Sequence, residues 1–248
     1  MNFKFLKYLK YFNYYLEVFA KRIGGRGIMR PHRNGEYKVL EYIIKNSKSY
    51  CCFIDGGSNV GSHILKFDYL CKKYKVNENL VVAIEPFPST VKVLKKNLSG
   101  INYQLINKAL GAKEGKIKFH SDDLNGAGGS NSAINFYYLN HSIEVEQITI
   151  DSIIKKESIS KINFLKLDIE GYEYNAMIGA KDSLSKGLID YIQLEYNQTW
   201  IEGGGTIEKI LNIAKTYSYK LYQIRINDLL SIPTYNFTLD DFYYCNLL

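Results

Sequence analysis

The sequence predicts an α/β fold in which a mainly parallel sheet is covered by helices on both faces. Short apolar segments alternate with amphipathic segments from residue 36 onward, and this alternation is typical of parallel sheets. A glycine-rich turn follows the first apolar segment, and an acidic residue ends the second. In open α/β sheets, ligands bind at such strand ends. The 248 residues suit one domain of this kind with additions.

The individual elements follow from periodicity and turn residues. Apolar residues recur at helical spacing in the predicted helices, whereas the predicted strands are short apolar runs near glycine, proline or an acid. The predicted helices are residues 36–46, 62–74, 88–98, 173–184 and 206–216. The predicted strands are residues 51–55, 80–85, 103–107, 162–168, 188–195, 219–226 and 242–247. Strand-like segments at 117–120 and 143–150 flank a loop rich in glycine and asparagine, so we expect an inserted hairpin there.

Residues 1–35 are expected to stand apart from a domain at 36–248. In residues 1–22, apolar side chains recur every three or four positions and predict an amphipathic helix; they are Phe5, Leu9, Phe12, Leu16 and Phe19. Such a helix could pack on its own domain, pair with a second subunit or lie on an anionic membrane. Residues 24–35 are rich in glycine and arginine and predict a basic loop, either a solvated linker or a phosphate clamp built from Arg26, Arg30, His32 and Arg33.

The composition is that of an ordinary globular protein with a basic surface. The formal net charge of +7 favours anionic partners. No apolar run approaches the roughly 20 residues that span a bilayer, and lysines interrupt the apolar start of the chain, so we expect a cytoplasmic protein. The four cysteines have neither zinc-site spacing nor a disulfide pattern and are expected to be small buried residues.

The turn after the first strand favours a cationic ligand over a dinucleotide. A dinucleotide loop of the pattern G-x-G-x-x-G would need glycine at positions 56, 58 and 61, and Ser58 stands at the second of these. Asp55 ends the strand, and its carboxylate would repel a pyrophosphate but could accept a hydrogen bond from an ammonium group. S-adenosylmethionine, which carries ammonium and sulfonium charges, therefore suits this turn. Glu85 ends the second strand, where an acid can accept hydrogen bonds from both ribose hydroxyls.

Five motifs together resemble the FkbM family of S-adenosylmethionine-dependent methyltransferases. They are DGGSNVG at 55–61, AIEPFP at 83–88, NKALG at 107–111, ITID at 148–151 and LKLDIEGYE at 165–173. The resemblance covers about residues 36–195, and KxDxEGxE is its most specific part. It implies a Rossmann-like sheet of seven strands with the last antiparallel, and O-methylation, often of sugars in glycans, capsules or natural products. Ser58 departs from the family's usual alanine.

The resemblance also implies roles for single residues. The turn formed by Asp55, Gly56, Gly57, Ser58, Asn59 and Gly61 would hold the methionine part of the cofactor. Glu85, followed by Pro86, would hold the ribose, and Asn107 to Ala109 would flank the adenine. Asp168 and Glu170 would face the methyl group and the acceptor.

Polar residues at the fourth strand supply candidate bases. In residues 166–170, Lys166, Asp168 and Glu170 alternate with apolar residues and share one face. They could form a satisfied ionic cluster, or they could act on the acceptor, because a sugar hydroxyl needs a base or a metal. Candidate bases are Asp168, Glu170 and Glu195, followed by His120 and His141. Alternatively, Mg²⁺ or Mn²⁺ could bind Asp168, Glu195 and Asn197.

The favoured acceptor is a sugar hydroxyl on a nucleotide-activated or glycan-linked saccharide, including lipid-linked ones, in capsule or polysaccharide biosynthesis. Residues 126–132 and the aromatic residues 136–138 could form a lid, and Tyr196 and Trp200 could stack on the sugar or belong to the core. An RNA 2′-O-methyltransferase is one alternative. Outside the first helix there is no lysine-rich stripe interleaved with aromatics, so no nucleic acid is expected. The second alternative is a non-catalytic cofactor-binding or membrane-associated module, and the pair Asp168 and Glu170 argues against it.

Overall fold

The computed structural model describes residues 3–24, 26–47, 50–121, 131–136 and 138–248. Most of the predicted glycine- and asparagine-rich loop, and with it most of the predicted lid, lies outside these ranges. The helices are α1 (Phe3–Ile23), α2 (Pro31–Asn34), α3 (Glu36–Asn46), α4 (Ser62–Tyr74), α5 (Pro88–Asn97), α6 (Ile150–Lys156), α7 (Glu173–Ile178), α8 (Lys181–Ser185), α9 (Trp200–Gly203) and α10 (Ile207–Thr216). The strands are β1 (Tyr50–Gly56), β2 (Glu78–Ile84), β3 (Gln104–Ile106), β4 (Ala109–Leu110), β5 (Gly115–Ser121), β6 (His141–Ile148), β7 (Ile162–Leu167), β8 (Ile189–Tyr196), β9 (Tyr222–Ile224), β10 (Leu229–Ser231) and β11 (Cys245–Leu247).

The main sheet has the order β10-β9-β11-β8-β7-β1-β2-β3. Strands β3, β2, β1, β7 and β8 are mutually parallel, and β11 is antiparallel to both β8 and β9. The predicted mainly parallel α/β fold with an antiparallel last strand is therefore confirmed. The predicted number of seven strands is wrong, because β10 adds an eighth to the edge. All three residues of β10 are exposed, and a strand of three residues is too short to show a periodicity.

A small second sheet contains the inserted hairpin, as predicted. β5 and β6 pair antiparallel from Gly115↔Gln147 to Ser121↔His141, and β4 runs parallel to β6. Strand β6 ends two residues earlier than predicted because Thr149 begins a helix there. The Thr149 hydroxyl accepts a hydrogen bond from the Ser152 backbone N–H at 3.0 Å and caps α6.

The predicted helix 173–184 is two short helices. Gly179 lies so close to the β4 region that a Cβ added to it would be 2.2 Å from the Gly111 carbonyl oxygen. Its own carbonyl accepts a hydrogen bond from the Asp151 backbone N–H at 3.0 Å. The chain turns at this contact, so α7 ends before it and α8 begins after it.

Two apolar layers fill the space between the sheet and the helices on its two faces. Along β1, Cys51 and Phe53 belong to the layer beneath α3, α4 and α5, whereas Cys52 and Ile54 belong to the layer beneath α6, α7, α8 and α10. Phe53 stacks on Phe164 with ring centroids 5.3 Å apart, and burying such a side chain stabilises the fold by about 1.5–3 kcal/mol. All four cysteines are free and buried, as expected.

The segment before α3 is partly helical rather than a loop throughout. Pro31 begins the four-residue α2, and Gly35 ends it in the left-handed conformation with φ +101°. The preceding residues contact the end of the chain, because Gly27 donates its backbone N–H to the Tyr244 carbonyl at 2.9 Å. Within the described part of the chain, no helix is both long enough and apolar enough to cross a membrane.

Candidate active site

A cleft opens where the carboxyl ends of β1, β2 and β7 meet. Its described lining residues come from the turns after these strands, from β4 and β5, and from the residues just before 135; they are Gly57, Asn59, Ile84, Glu85, Pro86, Thr90, Lys108, Ala109, Leu110, Phe119, Asn131, Ala133, Asp168, Ile169, Glu170 and Tyr172. Parallel strands bring these turns to one edge of the sheet, which is where α/β proteins bind ligands.

The glycine turn after β1 is held by hydrogen bonds to the ends of the neighbouring strands β2 and β7. The backbone N–H groups of Gly57 and Ser58 both donate to the Ile84 carbonyl at 3.0 Å, and the Asp168 N–H donates to the Gly56 carbonyl at 3.0 Å. Gly57 has φ +79°, and a Cβ on it would lie 1.9 Å from the Asp168 carbonyl oxygen. Only glycine fits at this position, and the turn therefore gives the cleft its shape.

Glu85 is presented to the cleft by backbone hydrogen bonds. Its carboxylate oxygens accept from the Asn59 N–H and the Phe87 N–H, each at 3.0 Å. The side chain of Asn107 donates to the carbonyls of Glu85 and Pro86 at 2.7 and 3.0 Å, so it fixes the turn after β2. Burial raises the pKa of Glu85 to about 7, although the two backbone hydrogen bonds oppose the shift.

The predicted cofactor residues divide into two groups. Six line the cleft: Gly57, Asn59, Glu85, Pro86, Ala109 and Asp168. The others shape it from behind. Ser58, for example, donates its hydroxyl to the Asp55 carbonyl at 2.7 Å and accepts from the Ile84 N–H. Asp55 is 1% exposed and burial raises its pKa, so in this arrangement it lies behind the turn, 4.0 Å from Lys166.

The lining residues suit a ligand that is positively charged and donates hydrogen bonds. Three carboxylates line the cleft, and the one lysine among the described lining residues, Lys108, is paired with Glu146 at 2.5 Å. The side-chain oxygens of Asn59 and Asn131 are buried and have no hydrogen-bond partner within the described structure. Such acceptors are costly unless a donor meets them. The ammonium and ribose hydroxyl groups of S-adenosylmethionine are donors of this kind, so the residues present fit that cofactor.

Asp168, Glu170 and Glu195 form a carboxylate cluster at the end of the cleft. One carboxylate oxygen from each lies within 4.8 Å of the others. The parallel strands β7 and β8 carry Asp168 and Glu195 to the same edge of the sheet, and Glu170 follows two residues after Asp168. The sequence-predicted catalytic residues are therefore brought together, and Asp168 and Glu170 also line the cleft.

The three acids differ in their protonation. Burial alone would raise the pKa of Asp168, but the ammonium group of Lys166, 2.8 Å away, outweighs it and lowers that pKa. Burial and the charge of Asp168 raise the pKa of Glu195 well above its ordinary value, so Glu195 is the donor in the hydrogen bond between these two side chains. Burial and the same charge raise the pKa of Glu170 to about 7. Glu170 is thus the acid of the cluster that changes charge near neutral pH.

Glu170 is held in an unusual backbone conformation. Its φ is +53°, in the left-handed region that non-glycine residues rarely adopt. Glu173 fixes this turn, because its buried carboxylate accepts the backbone N–H groups of Ile169 and Gly171 at 2.8 and 3.0 Å. Strained residues that are held in this way concentrate at functional sites. The sequence motif contains Glu173, but its positioning role could be read only from the three-dimensional contacts.

One of the three predicted metal ligands turns its side-chain oxygen away from the carboxylate cluster. The predicted ligand Asn197 turns its side-chain oxygen to Thr199, with hydrogen bonds of 2.8 Å from the N–H and 2.5 Å from the hydroxyl, and directs its NH₂ group at Glu195. Lys166 already supplies a buried positive charge to Asp168. The predicted set Asp168, Glu195 and Asn197 is therefore not assembled for a metal, and we derive no step through one.

Burial assigns two of the candidate acceptor-side residues to the core. Tyr196 and Trp200 are both fully buried, with ring centroids 4.9 Å apart, so they belong to the core. Trp200 donates its indole N–H to the Glu195 carbonyl at 2.8 Å and thereby supports the end of β8. In the predicted basic clamp, Arg26 binds Asp241 and the Tyr243 carbonyl. Arg30, His32 and Arg33 are exposed.

A buried polar network behind the cleft was not predicted from the sequence. Glu36 at the start of α3 accepts hydrogen bonds from Asn34, His63 and Gln193, at 2.5, 3.1 and 2.7 Å. Burial opposes its charge, but His63 and the other partners lower its pKa below the ordinary value. Its charge in turn helps to keep the buried Lys166 protonated. No motif marks this network, because His63 and Gln193 are far from Glu36 in the chain.

Comparison with known proteins identifies the family. A family model described as a methyltransferase FkbM domain matches residues 55–221, which is more than half of the chain. Hexuronic acid methyltransferase AglP of Haloferax volcanii is 26% identical over 152 residues, which are 60% of this chain and 58% of that protein. The chain thus matches less than two thirds of that relative's length.

Two solved structures have a similar course of the chain. A precorrin-6Y C5,15-methyltransferase of Geobacter metallireducens has a TM-score of 0.43 at 8% identity, covering 85% of each chain. A SAM-dependent methyltransferase of Agrobacterium tumefaciens has a TM-score of 0.45 at 7% identity, covering 88% of this chain and 62% of its own.

The family model and the motifs that lie at the cleft agree, and the predicted resemblance is confirmed: the chain belongs to the FkbM methyltransferase family.

Proposed function

We propose that the protein is an S-adenosylmethionine-dependent O-methyltransferase that acts on a hydroxyl of a nucleotide-activated or glycan-linked saccharide. The observation that carries the proposal is Glu170, a carboxylate that lines the cleft and whose pKa lies at about 7. A base with a pKa near the working pH accepts a proton most effectively. The setting in polysaccharide biosynthesis and the cytoplasmic location stay predictions from the sequence.

In this proposal Glu85 and Asn59 bind the donor, and the Gly57 turn gives it room. When bound, S-adenosylmethionine would supply the methyl group of its sulfonium centre. The rest of the donor would leave as a neutral thioether. Glu170 takes the proton of the acceptor hydroxyl as the new O–CH₃ bond forms. Burial and the charge of Asp168, which Lys166 stabilises, raise the pKa of Glu170 and so strengthen it as a base. Glu195 keeps its proton and hydrogen-bonds to Asp168.

A saccharide acceptor is supported by the relative that is named a hexuronic acid methyltransferase. A sugar hydroxyl is weakly nucleophilic and gains from a base, whereas a sugar carboxylate is already ionised and would not need Glu170. Methylation of a hydroxyl, giving an ether, is therefore the reaction for which this base is useful.

The test is turnover with isotopically labelled S-adenosylmethionine and a panel of nucleotide-sugars, uronic acids, glycans and an RNA oligonucleotide. We expect a labelled saccharide whose methyl group resists mild alkali, as an ether does and an ester does not. Asp168→Ala should abolish labelling. An alkali-labile product would contradict the hydroxyl assignment. Labelling of RNA alone, or no turnover by protein that binds S-adenosylhomocysteine in calorimetry, would contradict the saccharide assignment.

A further inference from the structure

The first helix, α1, turns large apolar side chains toward solvent. Phe12, Leu16, Phe19 and Ile23 recur at spacings of four and three residues, so they share one face of the helix. Each is between 54% and 63% exposed. An amphipathic helix that packs on its own domain buries this face. Packing on its own domain, one of the three alternatives for this stripe, therefore does not occur for these four residues.

The body of the protein holds α1 by the opposite side. Lys21 lies 3.7 Å from the Asp241 carboxylate and its ammonium group lies 4.5 Å from the centroid of the Tyr243 ring. Two residues along a helix correspond to a rotation of about 200°, so Lys21 points away from Phe19. After the helix, Gln223 donates to the Gly24 carbonyl at 3.3 Å. These contacts leave the apolar face directed away from the domain.

The charge and the aromatic residues of α1 suit an anionic lipid surface. The helix sequence contains one acid, Glu17, and five basic residues, which are Lys4, Lys7, Lys10, Lys21 and Arg22. The helix also exposes tyrosines at 11, 14 and 15, and tyrosine is enriched at membrane–water interfaces. A second copy of the helix would bring the same positive charge and would not neutralise it.

We propose that α1 lies in the plane of an anionic bilayer, with Phe12, Leu16, Phe19 and Ile23 inserted among the lipids. Helices with an apolar aromatic face and a basic polar face bind membranes in this way. The basic residues add an attraction to anionic headgroups that salt screens. The inference is independent of the reaction that the cleft performs.

The test measures binding of the full chain to vesicles of phosphatidylcholine, alone or mixed with phosphatidylglycerol, by co-sedimentation. We expect binding to the mixed vesicles to be at least about tenfold tighter than to the neutral ones, and to weaken as salt rises. The double variant Leu16→Glu/Phe19→Glu should lose at least about tenfold in binding, because it places charge on the inserted face. S-adenosylhomocysteine affinity of each variant reports folding.

The matched control is Leu230→Glu/Phe237→Glu, which makes the same change in charge at side chains that are 46% and 79% exposed elsewhere. It should bind vesicles as the original protein does. Equal binding by both double variants, or no binding of the original protein to mixed vesicles, would overturn the proposal. A dimer in sedimentation velocity that Leu16→Glu/Phe19→Glu makes monomeric, without vesicle binding, would assign the face to a second copy instead.

Discussion

Replacing Glu170 by glutamine should remove the base and leave the cleft in place. Glutamine has nearly the same shape, so the turn held by Glu173 should persist. A positioned general base contributes about 10²–10⁴-fold to the rate, and kcat should fall by about that factor. The affinity for S-adenosylhomocysteine should change by less than about threefold, because the assigned donor contacts are those of Glu85 and Asn59.

The pH dependence gives a second magnitude for the same residue. Burial and the charge of Asp168 raise the pKa of Glu170 to about 7. A group with this pKa is about one tenth ionised at pH 6 and about nine tenths ionised at pH 8, so kcat at saturating S-adenosylmethionine should rise about tenfold across that interval. Saturation by the donor is needed because Glu85, whose pKa is also about 7, would add its own titration to donor binding. The direction is upward because the ionised form is the base. With an ordinary pKa for glutamate, activity would be nearly flat over the same range.

The assay is the initial rate of methyl transfer to the saccharide identified in the panel, measured from pH 5.5 to 8.5. Calorimetric titration with S-adenosylhomocysteine follows binding separately. Glu157→Gln is the matched control, since Glu157 is an exposed glutamate at the end of α6, and its rates should equal those of the original protein. A Glu170→Gln variant that retains more than a third of the rate, or an original protein without the rise, would refute the assignment of Glu170 as base.

Three further predictions test the donor site and the absence of a metal step. Glu85→Gln should weaken S-adenosylhomocysteine binding by about 10- to 100-fold, since a hydrogen bond to a charged group contributes about 1.5–3 kcal/mol. The control Glu78→Gln, at the exposed start of β2, should leave that affinity unchanged, and calorimetry measures the affinity of both variants. Gly57→Ala should abolish that binding or unfold the turn, because its Cβ would lie 1.9 Å from a backbone oxygen, and thermal melting with and without ligand separates these results. Dialysis against EDTA should leave kcat within about twofold, because a carboxylate performs the proton transfer; activity that EDTA removes and Mg²⁺ restores would assign the carboxylate cluster to a metal.

The motifs located the cleft because its parts lie in short segments at the ends of strands. Gly57, Glu85 and Asp168 each follow an apolar run, and the alternation of strands and helices indicates that the runs are parallel neighbours. Parallel neighbours present their carboxyl ends at one edge, so the meeting of these residues could be predicted without coordinates. The turn at residues 55–61 and the acid after β2 were therefore found from local pattern alone.

Other features depend on partners that no local pattern reveals. Asn197 was predicted as a metal ligand because it follows Glu195, but its oxygen is taken by Thr199. Gly179 divides a predicted helix because it touches Gly111 in another segment. The same holds for α1, whose stripe is visible in the sequence but whose outward direction is decided by Lys21 and its contacts with the end of the chain.

Local order in the chain was enough to predict the α/β fold, the family resemblance and the positions of the turns that line the cleft, since these depend on spacing along the chain and on the geometry of parallel strands. Long-range packing alone decided which acids are charged. A buried lysine lowers the pKa of Asp168, burial and the charge of that aspartate raise the pKa of Glu195 well above its ordinary value, and the same two causes raise the pKa of Glu170 to about 7. Electrostatic energies depend on distance and burial in space, and a sequence states neither.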